Sequence, residues 1–150
     1  MRPTPQAKGC APVLDVWHRF VTGDGSAKLT IDPNATTYAD SINCPVPRNW
    51  RKAVNAVRDS NGAYVSVADD QIMGAVRETG RLTGVFAEPA AATAVAGIAE
   101  AVRQGIISHD ASVVAMITGN GLKDTAGALR AVGKAHEIHA RLNEIEQFVD

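Results

Sequence analysis

Three short apolar runs, AYVSV (63–67), GVFAE (84–88) and SVVAMI (112–117), alternate with segments whose apolar residues recur every three or four positions. This alternation constrains the fold more than any other feature of the chain. Runs with strand character that alternate with helix-period segments build α/β architectures around a parallel sheet. The helix-period segments are VLDVWHRF (13–20), WRKAVNAVRD (50–59), DQIMGAVRETG (70–80) and ATAVAGIAEAVRQG (92–105). In the first, Val13, Val16, Trp17 and Phe20 share one face, and in the second Trp50, Ala53, Val54 and Val57 do. After Ser112 the run SVVAMI is apolar on both faces, which predicts a strand covered by helices on both sides. The expected fold is α/β, an open and mostly parallel sheet with helices on both faces.

Punctuation residues agree with this reading. Asn61-Gly62 ends one helix, and Ser66 to Asp70 supplies hydroxyl and carboxylate caps for the next. Gly80 is expected to end that helix, Pro89 to open the following one and Gly105 to close it. Residues 89–104 are alanine-rich, so this helix is expected to pack closely and to be buried on much of its circumference. Residues 23–34 (GDGSAKLTIDPN) read as a surface loop. The start of the chain is a poor strand on paper, because Pro3 and Pro5 lack an N–H and only Gln6-Ala7 has strand character. One domain over 1–150, with a helical tail at 126–150, accounts for the length.

Fifteen Lys and Arg against sixteen Asp and Glu leave a formal charge of −1, which gives no electrostatic reason to expect nucleic acid or an anionic membrane as partner. The uncharged stretch 89–99 is too short and small-sided to span a bilayer. No export signal opens the chain. Cys10 and Cys44 lack metal-like spacing and are expected to be reduced, as in a cytoplasmic protein. His136 and His139 lie three apart but have no third convergent ligand in sequence, so no metal site is expected; His18 and His109 are isolated.

The run SVVAMI leads into Thr118, Gly119, Asn120 and Gly121. A strand that stops at small, hydroxylated and glycine residues either brings backbone close to a ligand or makes a ligand-free turn into a helix. The blocks PQAKGCAPV, ADSINCPVPRNWRKAVNAVRDSNG, VADDQIMGAVRETGRLTGVFAEPAAATAVAGI and VVAMITGNGLKD, in this order, resemble the carboxy-terminal part of the threonine synthase family. That family belongs to the pyridoxal-phosphate (PLP) enzymes of the tryptophan-synthase-β fold type. GVFAEPAAA and TGNGLKD are the most specific pieces. Two departures stand out: Asn120 replaces the family's usual histidine, and Lys8 stands where a glutamate is more frequent.

The resemblance implies the back half of the large domain of such an enzyme, and a cofactor-binding set of Thr118, Gly119, Glu88, Pro89 and Ala90. The Thr118 hydroxyl would face an unprotonated pyridine nitrogen, and Gly119 and Gly121 would let backbone approach the ring. Glu88 would organise hydrogen bonds near the ring, or else serve only as a charge at a helix N-terminus. Lys123 and Asp124 would cap and neutralise the start of the next helix.

None of Lys8, Lys28, Lys52, Lys123 and Lys134 stands in the family's cofactor-lysine motif, and no Gly-Asn-rich phosphate loop occurs. The resemblance therefore implies a piece without catalytic residues of its own, inactive alone, partnered by a missing amino-terminal segment and homo-oligomeric. The complete enzyme would be a PLP-dependent carbon–oxygen lyase that converts O-phospho-L-homoserine and water to L-threonine and phosphate. A threonine or serine dehydratase and a non-catalytic α/β binding module are the alternatives.

Overall fold

The computed structural model describes residues 2–148. Two parallel strands, β1 (Pro3–Ala7) and β2 (Ala63–Val67), pair in register from Pro3 opposite Ala63 to Ala7 opposite Val67. Between them come α1 (Pro12–Val21) and α2 (Trp50–Asp59); after them come α3 (Asp69–Thr83), α4 (Pro89–Arg103), α5 (Thr125–Val132) and the short α6 (Leu142–Ile145). The architecture is α/β, with helices on both faces of the small sheet.

The two prolines of β1 find their explanation in the register. Ala63 N–H donates to the Arg2 carbonyl, and Lys8 N–H donates to the Val67 carbonyl. In a parallel ladder only alternate residues bond to a given neighbour, so even-numbered residues of β1 face β2 and Pro3 and Pro5 face away. A missing N–H at either costs the β1–β2 ladder nothing. It also leaves the free edge of β1 short of donors, a common way to discourage further strand addition.

The faces of β2 divide the core. Tyr64 packs with Val13, Leu14, Val16 and Trp17 of α1 and Val54 and Val57 of α2, with the Trp17 and Tyr64 ring centroids 5.5 Å apart. Val67 lies on the opposite side with Ala7, Ile72 and Val76 of α3, and Ala91, Ala92 and Ala96 of α4. The alanine-rich helix is buried over much of its surface, as its composition predicts. At Gly97 a Cβ would lie 2.5 Å from the Pro5 side chain, so α4 approaches β1 as closely as a helix can.

Two expected strands do not form. GVFAE and SVVAMI carry no ladder, and their neighbourhood retains only an isolated antiparallel bridge between Ala87 and Asn120. A strand exists only when a neighbour takes its backbone groups. Val114 is 89% and Met116 72% exposed, so the segment that reads as doubly buried is uncovered on their face, while Ile117 is partly buried against the core. The expected stop at Gly80 is also displaced. The helix continues to Thr83 and ends at Gly84, whose φ of +72° suits glycine and whose N–H bonds back to the Gly80 carbonyl.

The start of α3 differs in chemistry from the expectation. Ser66 stays within β2, and the Gln71 side chain accepts from the Ala68 N–H at 2.7 Å. Asp69 accepts from the Thr37 hydroxyl and from the Tyr38 N–H (3.1 Å), which ties residues 37–38 across the sheet end. In the tail, helix occupies 125–132 and 142–145 with irregular chain between; Val149 and Asp150 lie outside the described residues. Among the described residues no helix is long and apolar enough to cross a membrane.

Candidate functional site

The segment 86–88 and the loop 118–121 meet through two backbone hydrogen bonds. Glu88 N–H donates to the Gly119 carbonyl (3.0 Å), and Gly121 N–H donates to the Phe86 carbonyl (2.8 Å). The sequence permits this clamp because both loop glycines lack a Cβ. At Gly119 a Cβ would fall 1.8 Å from Glu88 Oε1, and at Gly121 it would fall 2.3 Å from the Phe86 ring. The space that a Cβ would need at these two glycines is taken up by Glu88 and Phe86 of this chain.

Glu88 sits at the N-cap position of α4 but sends its side chain away from the helix amides. The carboxylate is 5% exposed. Its Oε1 accepts from Lys123 Nζ at 3.1 Å and its Oε2 from the Ser41 hydroxyl at 3.3 Å. A buried carboxylate is costly without compensation, and these two donors supply it. Three distant parts of the chain thereby converge. Ser41 arrives on the short 3-10 turn Asp40–Ile42, which follows the segment tied down by Asp69.

The donors at the loop's end are also divided differently from the expectation. Asp124 caps α5 by accepting from the Gly127 N–H at 2.8 Å, as expected. Lys123 does not neutralise that helix start; it turns to Glu88. Asn120 accepts from the Leu122 N–H at 2.9 Å and so caps the 3-10 turn Gly121–Lys123.

Pro89, the first residue of α4, and Ala90 form a wall of a small cavity of about 170 Å³ with Asp40, Ser41, Glu88, Lys123 and Asp124. Thr118 is exposed at the loop entrance, next to Gly119. Of the candidate residues, Glu88, Pro89 and Ala90 share the cavity, and Gly119 lies against the Glu88 carboxylate. Thr118 is brought to the same loop but not into that cavity. Sequence reading overlooked Ser41 and the pairing of Lys123. TGNGLKD carried the lysine in plain view, whereas nothing in the sequence marks Ser41 as a neighbour of Glu88, 47 positions away.

The donor set suits one end of a PLP molecule. An exposed hydroxyl can donate to a neutral pyridine nitrogen, and the Glu88 carboxylate, which lies against Gly119, is already held by Lys123 and Ser41. Other sites are less suited to chemistry. Burial pushes the Cys10 thiol up, away from the nucleophilic thiolate. Cys44 is exposed, and both are free thiols. Among the described residues, no group of three or more His, Cys, Asp or Glu side chains could hold a metal ion; the His136 ring packs against Phe148 at 4.4 Å.

Comparison with known proteins gives the site its setting. Residues 4–119 match the family model described as pyridoxal-phosphate dependent enzyme. The chain is 32% identical over 144 residues to threonine synthase of Methanosarcina acetivorans, covering 96% of this chain and 34% of that protein. It is 32% identical over 145 residues to the Methanocaldococcus jannaschii threonine synthase, again covering 96% and 34%. Against the Mycobacterium tuberculosis threonine synthase it is 38% identical over 94 residues, covering 63% and 26%. The chain thus spans about a third of the length of the archaeal relatives it matches. With its sheet, its loop as far as Gly119 and most of its length inside that family model, the chain belongs to the pyridoxal-phosphate dependent enzymes.

Proposed function

We propose that this chain forms the pyridine-nitrogen side of a threonine synthase site, within one α/β domain over 1–150 that carries its tail at 126–150. The observation that carries the proposal is the backbone clamp between Glu88 and Gly119, which holds the loop bearing Thr118 against a buried carboxylate paired with Lys123. The complete enzyme would convert O-phospho-L-homoserine and water to L-threonine and phosphate. When bound, PLP supplies an electron sink for proton removal from substrate carbon.

The chain's own residues do the rest of what can be assigned. Thr118 donates its hydroxyl proton toward the ring nitrogen and leaves that nitrogen unprotonated, which moderates the electron demand. Glu88 holds the loop by its N–H and carboxylate. Pro89 and Ala90 offer a small-sided wall at the start of α4. Lys123 is engaged by Glu88, so it is not assigned the covalent attachment, and no catalytic base is assigned to this chain. The assembled enzyme is proposed to be cytoplasmic and homo-oligomeric, with an amino-acid substrate.

The test replaces the matching third of the Methanosarcina threonine synthase with this chain. The chimera should release phosphate from O-phospho-L-homoserine with formation of threonine. Thr118→Ala should retain bound PLP and turn over about tenfold more slowly, the weight of one net hydrogen bond. A chimera that binds PLP but deaminates serine or threonine instead would overturn the substrate assignment. An unchanged rate in Thr118→Ala would overturn the role of Thr118.

A further inference from the structure

Lys123 is part of a convergence that the sequence motif does not explain. Its side chain is 60% exposed, yet it reaches the carboxylate of a side chain that is only 5% exposed. The same carboxylate lies flush against Gly119, and the Glu88 N–H bonds to the Gly119 carbonyl. Lys123 itself follows directly on the loop, in the turn Gly121–Lys123. The loop is therefore held to Glu88 at both of its ends: by the main chain at 119 and by a charge at 123.

We infer that Lys123 is a positioning residue, a latch that fixes the Thr118–Gly121 loop against the start of α4 through its ion pair with Glu88. The inference rests on the proposed role of this loop at the cofactor, but its physical content does not. Without Lys123, the Glu88 charge keeps only the Ser41 hydroxyl as partner. A carboxylate so short of compensation rotates toward water. Gly119 lies against that carboxylate and its carbonyl accepts from the Glu88 N–H, so this movement loosens the clamp. Lys123 acts through Glu88 and touches no reacting atom.

Amide hydrogen exchange by NMR on the full chain tests this with no cofactor present. In Lys123→Met, the amides of Glu88 and Gly121 should exchange about tenfold faster or more, the scale of one lost charge-assisted hydrogen bond. Val65 in β2 and Ala96 in α4 should stay within about twofold. Lys123→Arg should restore protection, because it keeps the charge. The pair Glu88→Gln with Lys123→Met should also restore it, because a neutral amide needs no cation. Unchanged Glu88 and Gly121 amides in Lys123→Met overturn the latch. Uniform acceleration across the chain also overturns it, since that marks a global loss of stability. If Lys123→Met alone does not fold, the double variant decides: wild-type protection supports the latch, and a loosened or unfolded double variant refutes it. None of these outcomes depends on Thr118 turnover in the chimera, so failure of the latch and failure of the cofactor role are read separately.

Discussion

Replacing Gly119 by alanine is the smallest change that puts the clamp under load. The added Cβ would lie 1.8 Å from Glu88 Oε1, 2.4 Å from its Cδ and 2.9 Å from its Cγ. Real carbon contacts require well over 3 Å, so the carboxylate must move by more than an ångström. Even a move toward the neighbouring cavity breaks contacts it now makes: the side chain is 5% exposed and is tied to Lys123 at 3.1 Å and Ser41 at 3.3 Å. Overpacking alone costs about 1–3 kcal/mol. Loosening the charged hydrogen bonds adds about 1–2 kcal/mol. A total near 3 kcal/mol, at a urea slope of about 2 kcal/mol per molar, lowers the unfolding midpoint by about 1.5 M. Steric origin is tested by a double-mutant cycle with Glu88→Ala, which removes the atoms that clash. In that background Gly119→Ala should cost less than about 0.5 kcal/mol, giving a coupling of about 2 kcal/mol or more. Additive losses would refute the reasoning, because they would show that Gly119 and the Glu88 carboxylate are not in contact.

Gly80→Ala should do the opposite. It lies inside α3 with nothing within 4 Å of the added Cβ, so the helix should gain about 0.5–1 kcal/mol, read as a higher urea midpoint. Glu100 is held at about 2, against 4.5, chiefly by the hydrogen bonds of Arg103 and then that of Gln104. Because folding lowers this value, its stabilisation is complete above about pH 4.5 and is lost as pH falls towards 2. Glu100→Gln should therefore flatten the stability profile across that window, and an unchanged slope would contradict it. Val114 and Met116 are 89% and 72% exposed beside other apolar groups, so the chain should self-associate in sedimentation velocity. Changing both to lysine should reduce association without altering the circular dichroism of the fold.

The helices were the legible part of the sequence. Val13, Val16, Trp17 and Phe20 keep a period of three to four, and that period survives wherever one face is covered. The runs at 84–88 and 112–117 failed as strands because periodicity reports which faces a residue shows, not whether a neighbouring strand is present to take its backbone. The prolines of β1 misled for a related reason. Whether a missing N–H matters depends on which neighbour that position faces, and only the register with β2 shows it. At the site, TGNGLKD and GVFAEPAAA are the segments that meet. Their meeting could not be read from spacing, since Glu88 and Lys123 are 35 positions apart and Ser41 is 47 from Glu88. At both loop glycines the space a Cβ would need is taken by side chains of the same molecule, Glu88 and Phe86, which spacing along the sequence does not show.

Thr118 is proposed to face the ring nitrogen of PLP and to leave it unprotonated. The most direct measurement is the ¹⁵N chemical shift of the ring nitrogen in the chimera loaded with ¹⁵N-labelled PLP, compared with its Thr118→Ala variant. The account predicts a neutral, hydrogen-bonded nitrogen whose signal moves toward that of free pyridine when the hydroxyl is removed. A protonated nitrogen, or a signal that Thr118→Ala leaves in place, would contradict it.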